Sequence, residues 1–495
     1  MIGNTKLNLL TDVFRSKGFN PIIGNIYDMQ SIWESWYRGS VNNFHYYDAR
    51  NIDGNIITLK RKSLNMAKKV CEDWAGLLFN ENTKLVVNDE KAQAIIDKVL
   101  DHNNFIDEAS DFIEKTMMSG TGVIIPFIEK GSVELDFLTE NIIPLTSRNN
   151  RIEELATVST FKHQKQHLTH VTYHTFRDNK YRIYHELYAS RQESYLGNKI
   201  SFIGILFDES ELKTMKKDDM GLYFEYEVPF PFFFVFRPAI ANNFDVNSPM
   251  GISVFANSIG LLESIDQEFD AMSNETDLSK KRLFINSEAT KTAKIKEETA
   301  NDVHIRYVKY FDNNDTLFQS IKMPDDLPMK EFSPEYRIEQ YINGLKFKFN
   351  LLSAETGLGN QYYQFDMTGG VTATQIISVK SDTWKNREKH IKRLREVLIK
   401  LMYSVLYLEK SINGYVGDVE SLEYDVYFDD SIIVDDEARG DRLISLANQG
   451  YIEKWRVVEH FLNVSEEEAK EIVKSAKKED DLMAFMGIEN ADRED

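Results

Sequence analysis

The sequence predicts an α+β fold, mainly helical. Three observations carry this. Apolar stripes at helical spacing dominate the first 120 residues and return from 252 onward. Short β-branched and aromatic runs, separated by Gly, Asn and Asp, fill 122–236. Two further helical patterns flank a second, smaller extended stretch at 284–332.

Taken in order, RKSLNMAKKVCEDWAGLLFNE places Leu64, Ala67, Val70, Cys71, Trp74, Leu77 and Leu78 on one stripe, and a further helix is expected over 104–118, closed by Ser119-Gly120-Thr121-Gly122. VIIPFI, VELDFL, LATVSTF, THVTYHTF, YRIYHELY, ISFIGILF and LYFEYEVPFPFFFVF then read as strands, mostly antiparallel because their connections are short. After Ser248-Pro249-Met250-Gly251, an apolar stripe runs through Ile252, Phe255, Ile259, Leu262, Ile265, Phe269 and Met272. Sustained over about 30 residues, such a helix spans about 45 Å. Its second face carries Glu263, Asp266, Asp270 and Asp277.

LFINSEAT, HIRYVKYF and TLFQSIKM are extended in character, ending at Pro324 and Pro328. Ser333-Pro334-Glu335 is an expected helix start, with Ser as cap and Pro in the first turn. That helix runs into the loop ETGLGNQYYQFDMTGGVTATQI, beyond which 372–415 is helical and basic at Lys385, Arg387, Lys389, Lys392, Arg393 and Arg395. The tail opens with an acidic strand, EYDVYFDDSIIVDDEARGD; two helical patterns follow, the second with a capping-box start at Ser465. A long helix, a small insert and a returning helix make an antiparallel pair capped at its tip. Such a spike buries little by itself, so its apolar stripe calls for neighbours, most simply copies of itself around a ring.

Composition narrows the function classes. The single cysteine, Cys71, permits no intrachain disulfide, which fits a reducing interior. MIGNTKLNLLTDVFRSKG lacks an apolar signal region, and FPFFFVF is far shorter than the roughly 20 residues of a membrane span. A soluble protein without a membrane partner is expected. A net charge of −20 argues against a sequence-specific DNA binder that grips phosphates. It is compatible with a protein that must let DNA slide past.

The glycine loop is not a phosphate cradle. Gly357, Gly359, Gly369 and Gly370 lack a following Gly-Lys-Ser/Thr, and no glycine stands three residues after Gly359. A mobile inter-helix loop is the favoured reading, with a variant that touches a polymer in a channel through Tyr362, Tyr363 and Phe365. His163, His167, His170, His174 and His185 lie in strand-like sequence, where residues four apart are about 13 Å apart, too far for one ion. Ordinary surface histidines are expected. Asp429, Asp430, Asp435, Asp436, Glu437 and Asp441, and the run Asp312-Asn313-Asn314-Asp315, match no calcium loop, so solvation and helix N-terminal placement explain them. The row Glu263, Asp266, Asp270, Asp277 reads first as a solvated face and, in a ring, as the lining of a negative bore. The basic helix reads as a solvated face or as a source of ion pairs between subunits. No hydrolase, cysteine-nucleophile or kinase signature occurs. No catalytic residue, metal or cofactor is expected.

Four stretches carry a family resemblance: LNMAKKVCEDWAGLLFNE, RPAIANNFDVNSPMGISVFANSIGLLESIDQEFD, GGVTATQI with the Thr383-Trp384 and Ile391-Lys392 that follow it, and VYFDDSIIVDDEARGDRLISLANQGYIEKWRVVEH. In order and spacing they resemble the portal proteins of long-tailed bacteriophages, the head-to-tail connector family. The resemblance implies a wing over 1–250, a first stem helix over 251–283, a clip over 284–332 and a second stem helix over 333–354. A tunnel loop over 355–371, a long wing helix over 372–415 and a small C-terminal crown over 416–495 complete it. It implies a homo-oligomeric ring, typically of twelve copies, at the portal vertex of the virion. Double-stranded DNA would pass through without sequence specificity. The implied partners are the terminase large subunit, the major capsid and scaffolding proteins, and a head-completion or adaptor protein.

On that resemblance Gln361, Tyr362, Tyr363, Gln364, Phe365 and Asp366 would meet DNA, with Gly357/Gly359 and Gly369/Gly370 as hinges. Glu263, Asp266, Asp270, Asp277, Lys346 and Lys348 are the candidate channel-lining stem residues. Two alternatives stand beside it: another ring-forming capsid-associated structural protein without a DNA channel, and a nucleotide-dependent enzyme using the glycine loop.

Overall fold

The computed structural model describes residues 4–50, 54–207, 212–286, 292–299, 302–309, 318–321, 329–363, 373–413, 415, 417–429, 447, 453–462 and 468–475. The N-terminal part holds helices α1 (Asn4–Ser16), α2 (Ile26–Tyr37), α3 (Met66–Leu78), α4 (Glu90–His102) and α5 (Phe105–Ser119). A hairpin of β1 (Tyr46–Arg50) and β2 (Ile56–Lys60) separates α2 from α3, and β3 (Lys84–Val87) separates α3 from α4. The stripe read from sequence is what α3 buries: Ala67, Val70, Cys71, Trp74, Leu77 and Leu78. Helix α5 stops at Gly120, whose φ of 82° favours glycine. A Cβ there would lie 2.6 Å from the backbone of Ile252.

Strands β4 (Gly122–Glu129), β5 (Ser132–Leu138) and β13 (Phe234–Phe236) form one antiparallel sheet in the order β13-β4-β5. A larger sheet runs β11-β12-β9-β8-β7-β6, with β10 also on β9. Its strands are β6 (Ile142–Arg148), β7 (Arg151–His163), β8 (Gln166–Arg177), β9 (Lys180–Ser190), β10 (Asn198–Ile200), β11 (Lys216–Asp218) and β12 (Gly221–Glu227). All of its pairings are antiparallel, as the short connections predict. Helix α1 covers it, packing Leu7, Leu10 and Phe14 onto Val158, Val171 and Tyr173.

Next come α6 (Ile259–Leu278), β14 (Arg282–Asn286), β15 (Thr292–Thr299), β16 (Asp302–Lys309), β17 (Phe318–Ile321), β18 (Met329–Phe332), α7 (Ile338–Glu355) and α8 (Ala373–Asn413). Strand β14 pairs parallel with β17 and antiparallel with β18, while β15 and β16 form a hairpin. The tail supplies β19 (Tyr424–Tyr427), which pairs antiparallel with β3, then α9 (Trp455–Leu462) and a helical stretch at 468–475. The predicted capping box at Ser465 lies outside the described residues, as does all of the acidic run 430–441. Helix α8 threads the main core with Ile391, Leu394, Val397, Leu398, Leu401, Met402 and Val405 at three- and four-residue spacing.

Two helix starts differ from the sequence reading. Helix α6 has 20 residues, about 30 Å, and not about 30 residues. Ile252 and Phe255 are buried, but in irregular chain before a 3-10 turn at Ala256–Ser258. The reason is long-range. Gly251 N donates to Thr121 Oγ1 (2.9 Å) and Val254 N donates to Met117 O (2.9 Å), so these amides are committed to the end of α5. Helix α7 likewise starts at Ile338, with Arg337 at the cap position and no side-chain cap. Ser333 and Pro334 stand in irregular chain ahead of it. Arg337 is anchored on α6, and the helix begins only where that anchor releases the chain.

Candidate functional site

Helices α6 and α7 run antiparallel, because their contacts pair rising numbers in one with falling numbers in the other. Lys348 Nζ donates to Ser264 O (2.9 Å) and pairs with Glu268 (2.5 Å). Nearer the insert, Arg337 donates from Nε and Nη2 to the two oxygens of Glu275, both at 3.0 Å. Tyr336 meets Thr276 at 3.2 Å. The Arg337 fork holds the Glu275 carboxyl below its usual range. Between these rungs sits Gly344, where a Cβ would fall 1.9 Å from Glu268 Oε1, so the bare backbone is what lets Glu268 lie across the helix.

The opposite face of α6 is occupied from within the same chain. Asp266 is 4% exposed and accepts three hydrogen bonds: from His45 Nε2 (2.9 Å), Ser63 Oγ (2.8 Å) and Leu64 N (2.9 Å). His45 Nδ1 accepts from Val41 N (2.9 Å), which assigns the ring proton to Nε2 and aims it at Asp266. One turn on, Asp270 accepts from Lys62 N (3.0 Å), and Lys62 Nζ reaches Ser273. This corrects the reading of Asp266 and Asp270 as members of an open acidic face: they clasp residues 41–64. Glu263 and Lys346 are half-buried, and the side chain of Asp277 lies outside those described. Lys348 points at α6, as the rungs above record.

The first half of the glycine loop is docked, not loose. Helix α7 ends in a tight turn: Gly357 has φ +82° and Leu358 N donates back to Ser353 O (2.9 Å). Three successive carbonyls there are claimed by side chains. Trp74 Nε1 donates to Thr356 O (3.0 Å), Asn386 Nδ2 to Gly357 O (2.9 Å) and Thr383 Oγ1 to Leu358 O (2.6 Å). Gly357 therefore stops the helix, and its carbonyl is held from α8. Tyr363 is buried; its hydroxyl donates to Asp73 (2.8 Å) and its amide to Ser353 Oγ. Burial first, then the Asp73 charge, pushes its acidity constant up. Tyr362 is half-buried against it with ring centroids 5.2 Å apart and is pushed up to about 12 by burial, while Gln361 is exposed with φ +70°. Gln364, Phe365, Asp366, Gly369 and Gly370 lie outside the described residues.

The basic stretch of α8 is solvated in part: Lys385, Lys389, Lys392 and Arg393 are exposed, as expected of a solvated face, whereas Arg387 turns inward. Arg387 is 1% exposed and donates to Leu77 O (2.6 Å) at the end of α3 and to Asp429 O (2.7 Å). Arg393 donates to Pro238 O (2.6 Å), and Arg395 pairs with Asp425 (2.5 Å) beside β19. These cations satisfy carbonyls and carboxylates of their own chain. His390 Nδ1 accepts from Ala239 N (2.9 Å), and burial lowers its pKa to about 3.

The sheet histidines divide in the same way. His163 is exposed as expected, but His174 is buried, bonded to Tyr181 (2.7 Å) and lowered by burial to about 3. His170 and His185 meet at 3.0 Å. No group of His, Cys, Asp and Glu able to hold a metal ion forms among the described residues. Sequence reasoning missed His45, Ser63 and Trp74 as the residues that fasten the helical pair and the loop. Only the aromatic density around His45 hinted at a packed segment.

No curated protein matches the chain. The family model of phage portal proteins, SPP1 Gp6-like, matches residues 33–482. That span runs from within α2 through the helical pair, its strand insert, the docked loop and the long helix to beyond the last described residue. With most of its length matched and its elements in that order, the chain belongs to the phage portal protein family.

Proposed function

We propose that this chain assembles into a ring at one vertex of a phage capsid and forms the channel through which double-stranded DNA is packaged and later ejected. The observation that carries the reading is the family match over 33–482. The helical pair supports it: α6 and α7 are cross-braced inside one protomer yet leave Phe347 70% exposed and Leu351 41% exposed. Apolar side chains in such positions suit burial between copies.

In this reading the insert of β14–β18 is the clip on which the terminase large subunit docks, and the head-completion or adaptor protein, major capsid and scaffolding proteins complete the contacts. Twelve copies are the family's usual number. The ring itself performs no chemistry; the motor supplies the hydrolysis. Among the candidate stem residues, Asp266, Asp270 and Lys348 hold their own protomer together, and Glu263 and Lys346 are half-buried. The net charge of −20 per copy suits a passage that must not bind its cargo. Among the described residues no helix is long and apolar enough to cross a membrane.

Electron-microscopy class averages and native mass spectrometry of the purified chain test the reading. Closed rings are expected. A monomer or dimer under all conditions, with no ring in assembled particles, sinks it, and ATP hydrolysis by the pure chain would favour a nucleotide-dependent enzyme.

A further inference from the structure

Strands β3 and β5 each have an outer edge occupied by a side-chain amide. In β5, Asn103 Nδ2 donates to Val133 O (3.0 Å), and Leu135 N donates to Asn103 Oδ1 (2.9 Å). In β3, Gln93 Nε2 donates to Leu85 O (3.0 Å), and Val87 N donates to Gln93 Oε1 (2.8 Å). The two strand residues held are two apart in each case. Alternate residues of a strand turn their backbone groups to opposite sides, so these groups lie on the edges away from β4 and β19, the strands paired with β5 and β3. Each amide thus makes the pair of bonds that one residue of a parallel neighbouring strand would make.

Both amides belong to one element. Gln93 lies in the first turn of α4, and Asn103 stands at the cap position after its last residue. Further bonds fix how the amides point. Gln93 Nε2 also donates to Asp97 Oδ1 (2.8 Å), and Asn103 Nδ2 also donates to Val99 O (2.8 Å). The helix is anchored at both ends: Asp89 Oδ1 caps it by accepting from Ala92 N (2.8 Å), and His102 meets Glu134 of β5 at 2.7 Å. Left open, these edges would be hazards. KLVV and SVELDFL are rich in β-prone apolar residues, and an open edge of that kind recruits strands from other molecules. At β3 there is room for one, because an open groove runs beside it, lined by Val86, Asn88, Glu90, Ala94 and Asp97.

We infer that α4 is an edge guard: through Gln93 and Asn103 it closes β3 and β5 to strand addition by a second copy of this chain. The inference does not depend on the ring reading. Two variants of the full chain test it, Gln93→Met and Asn103→Leu, each close in size to the native residue but without an amide. Hydrogen exchange is expected to quicken about tenfold at the Val87 amide in the first and at the Leu135 amide in the second, with the Val171 amide of the large sheet unchanged. Each variant should also bind a cross-β dye when concentrated, where the wild type stays dark; the dye separates added strands from ring assembly. Gln93→Glu keeps an acceptor for Val87 N and loses the donor to Leu85 O, so it should fall between wild type and Gln93→Met. Ile96→Val, which trims a buried side chain of the same helix, controls for simple loss of stability and should leave the dye dark. Unchanged exchange, faster exchange without dye binding, or dye binding by Ile96→Val as strong as by the amide variants overturns the inference.

Discussion

Asp266 shows what one carboxylate can organise. It receives an imidazole N–H, a hydroxyl and a backbone amide from residues 202 to 221 positions away in sequence. Removing it takes the acceptor from the buried His45 Nε2–H and from the half-buried Leu64 amide. Asp266→Ala is expected to lower stability by about 2–4 kcal/mol, read as a lower urea midpoint at unchanged slope. His390 makes a second prediction at this scale. Its folded pKa, about 3, lies below its ordinary value of 6.5, so the unfolded chain binds the extra proton. Stability from this group is therefore full above 6.5 and falls on acidification towards 3, by about 1.4 kcal/mol per pH unit. A His390→Gln variant should show a shallower loss of stability over that range. An unchanged slope would mean that the ring is protonated in the fold.

At the scale of elements, the joint between α5 and the lead-in to α6 is a close approach of backbone to backbone. Gly120 combines positive φ with a backbone approach that leaves a Cβ no room. Gly120→Ala is predicted to cost about 2–4 kcal/mol, visible as a fall in thermal midpoint, because the clash is with backbone and no side chain can swing aside. The same joint explains what was legible in the sequence. Strands β4, β5 and β7–β9 were readable because alternation and turn residues are local signals, and α3 and α8 because their stripes are unbroken. The start of α6 was not, since the amides of Gly251 and Val254 are taken by residues more than 100 positions earlier. The apolar pattern through Ile252 and Phe255 reported burial correctly and helix wrongly. Arg387 and Asp266 misled in the same manner: a charge on a helix looks solvated until its distant partner is known. The docked loop was half legible. The missing phosphate-binding parts could be read, but the grip of Trp74, Thr383 and Asn386 could not.

For the whole molecule, membership of the portal family and the exposed apolar surfaces point the same way. The protomer is well closed around α3, α5 and α8 and unfinished along the helical pair and the β1/β2 hairpin. On α8 the buried Arg387 and the partly exposed Arg395 are engaged within the chain, while Lys385, Lys389 and Lys392 stay exposed. The clasp on both faces of α6 also has a mechanical meaning. A helix held by Asp266 and Asp270 on one side and by Glu268 and Glu275 on the other cannot slip by a turn against either neighbour without breaking several charge-assisted bonds together. Shear along its axis is stiff. Load applied at the strand insert is passed undiminished into residues 41–64, so the pair yields by tilting as one strut and not by its helices gliding past each other.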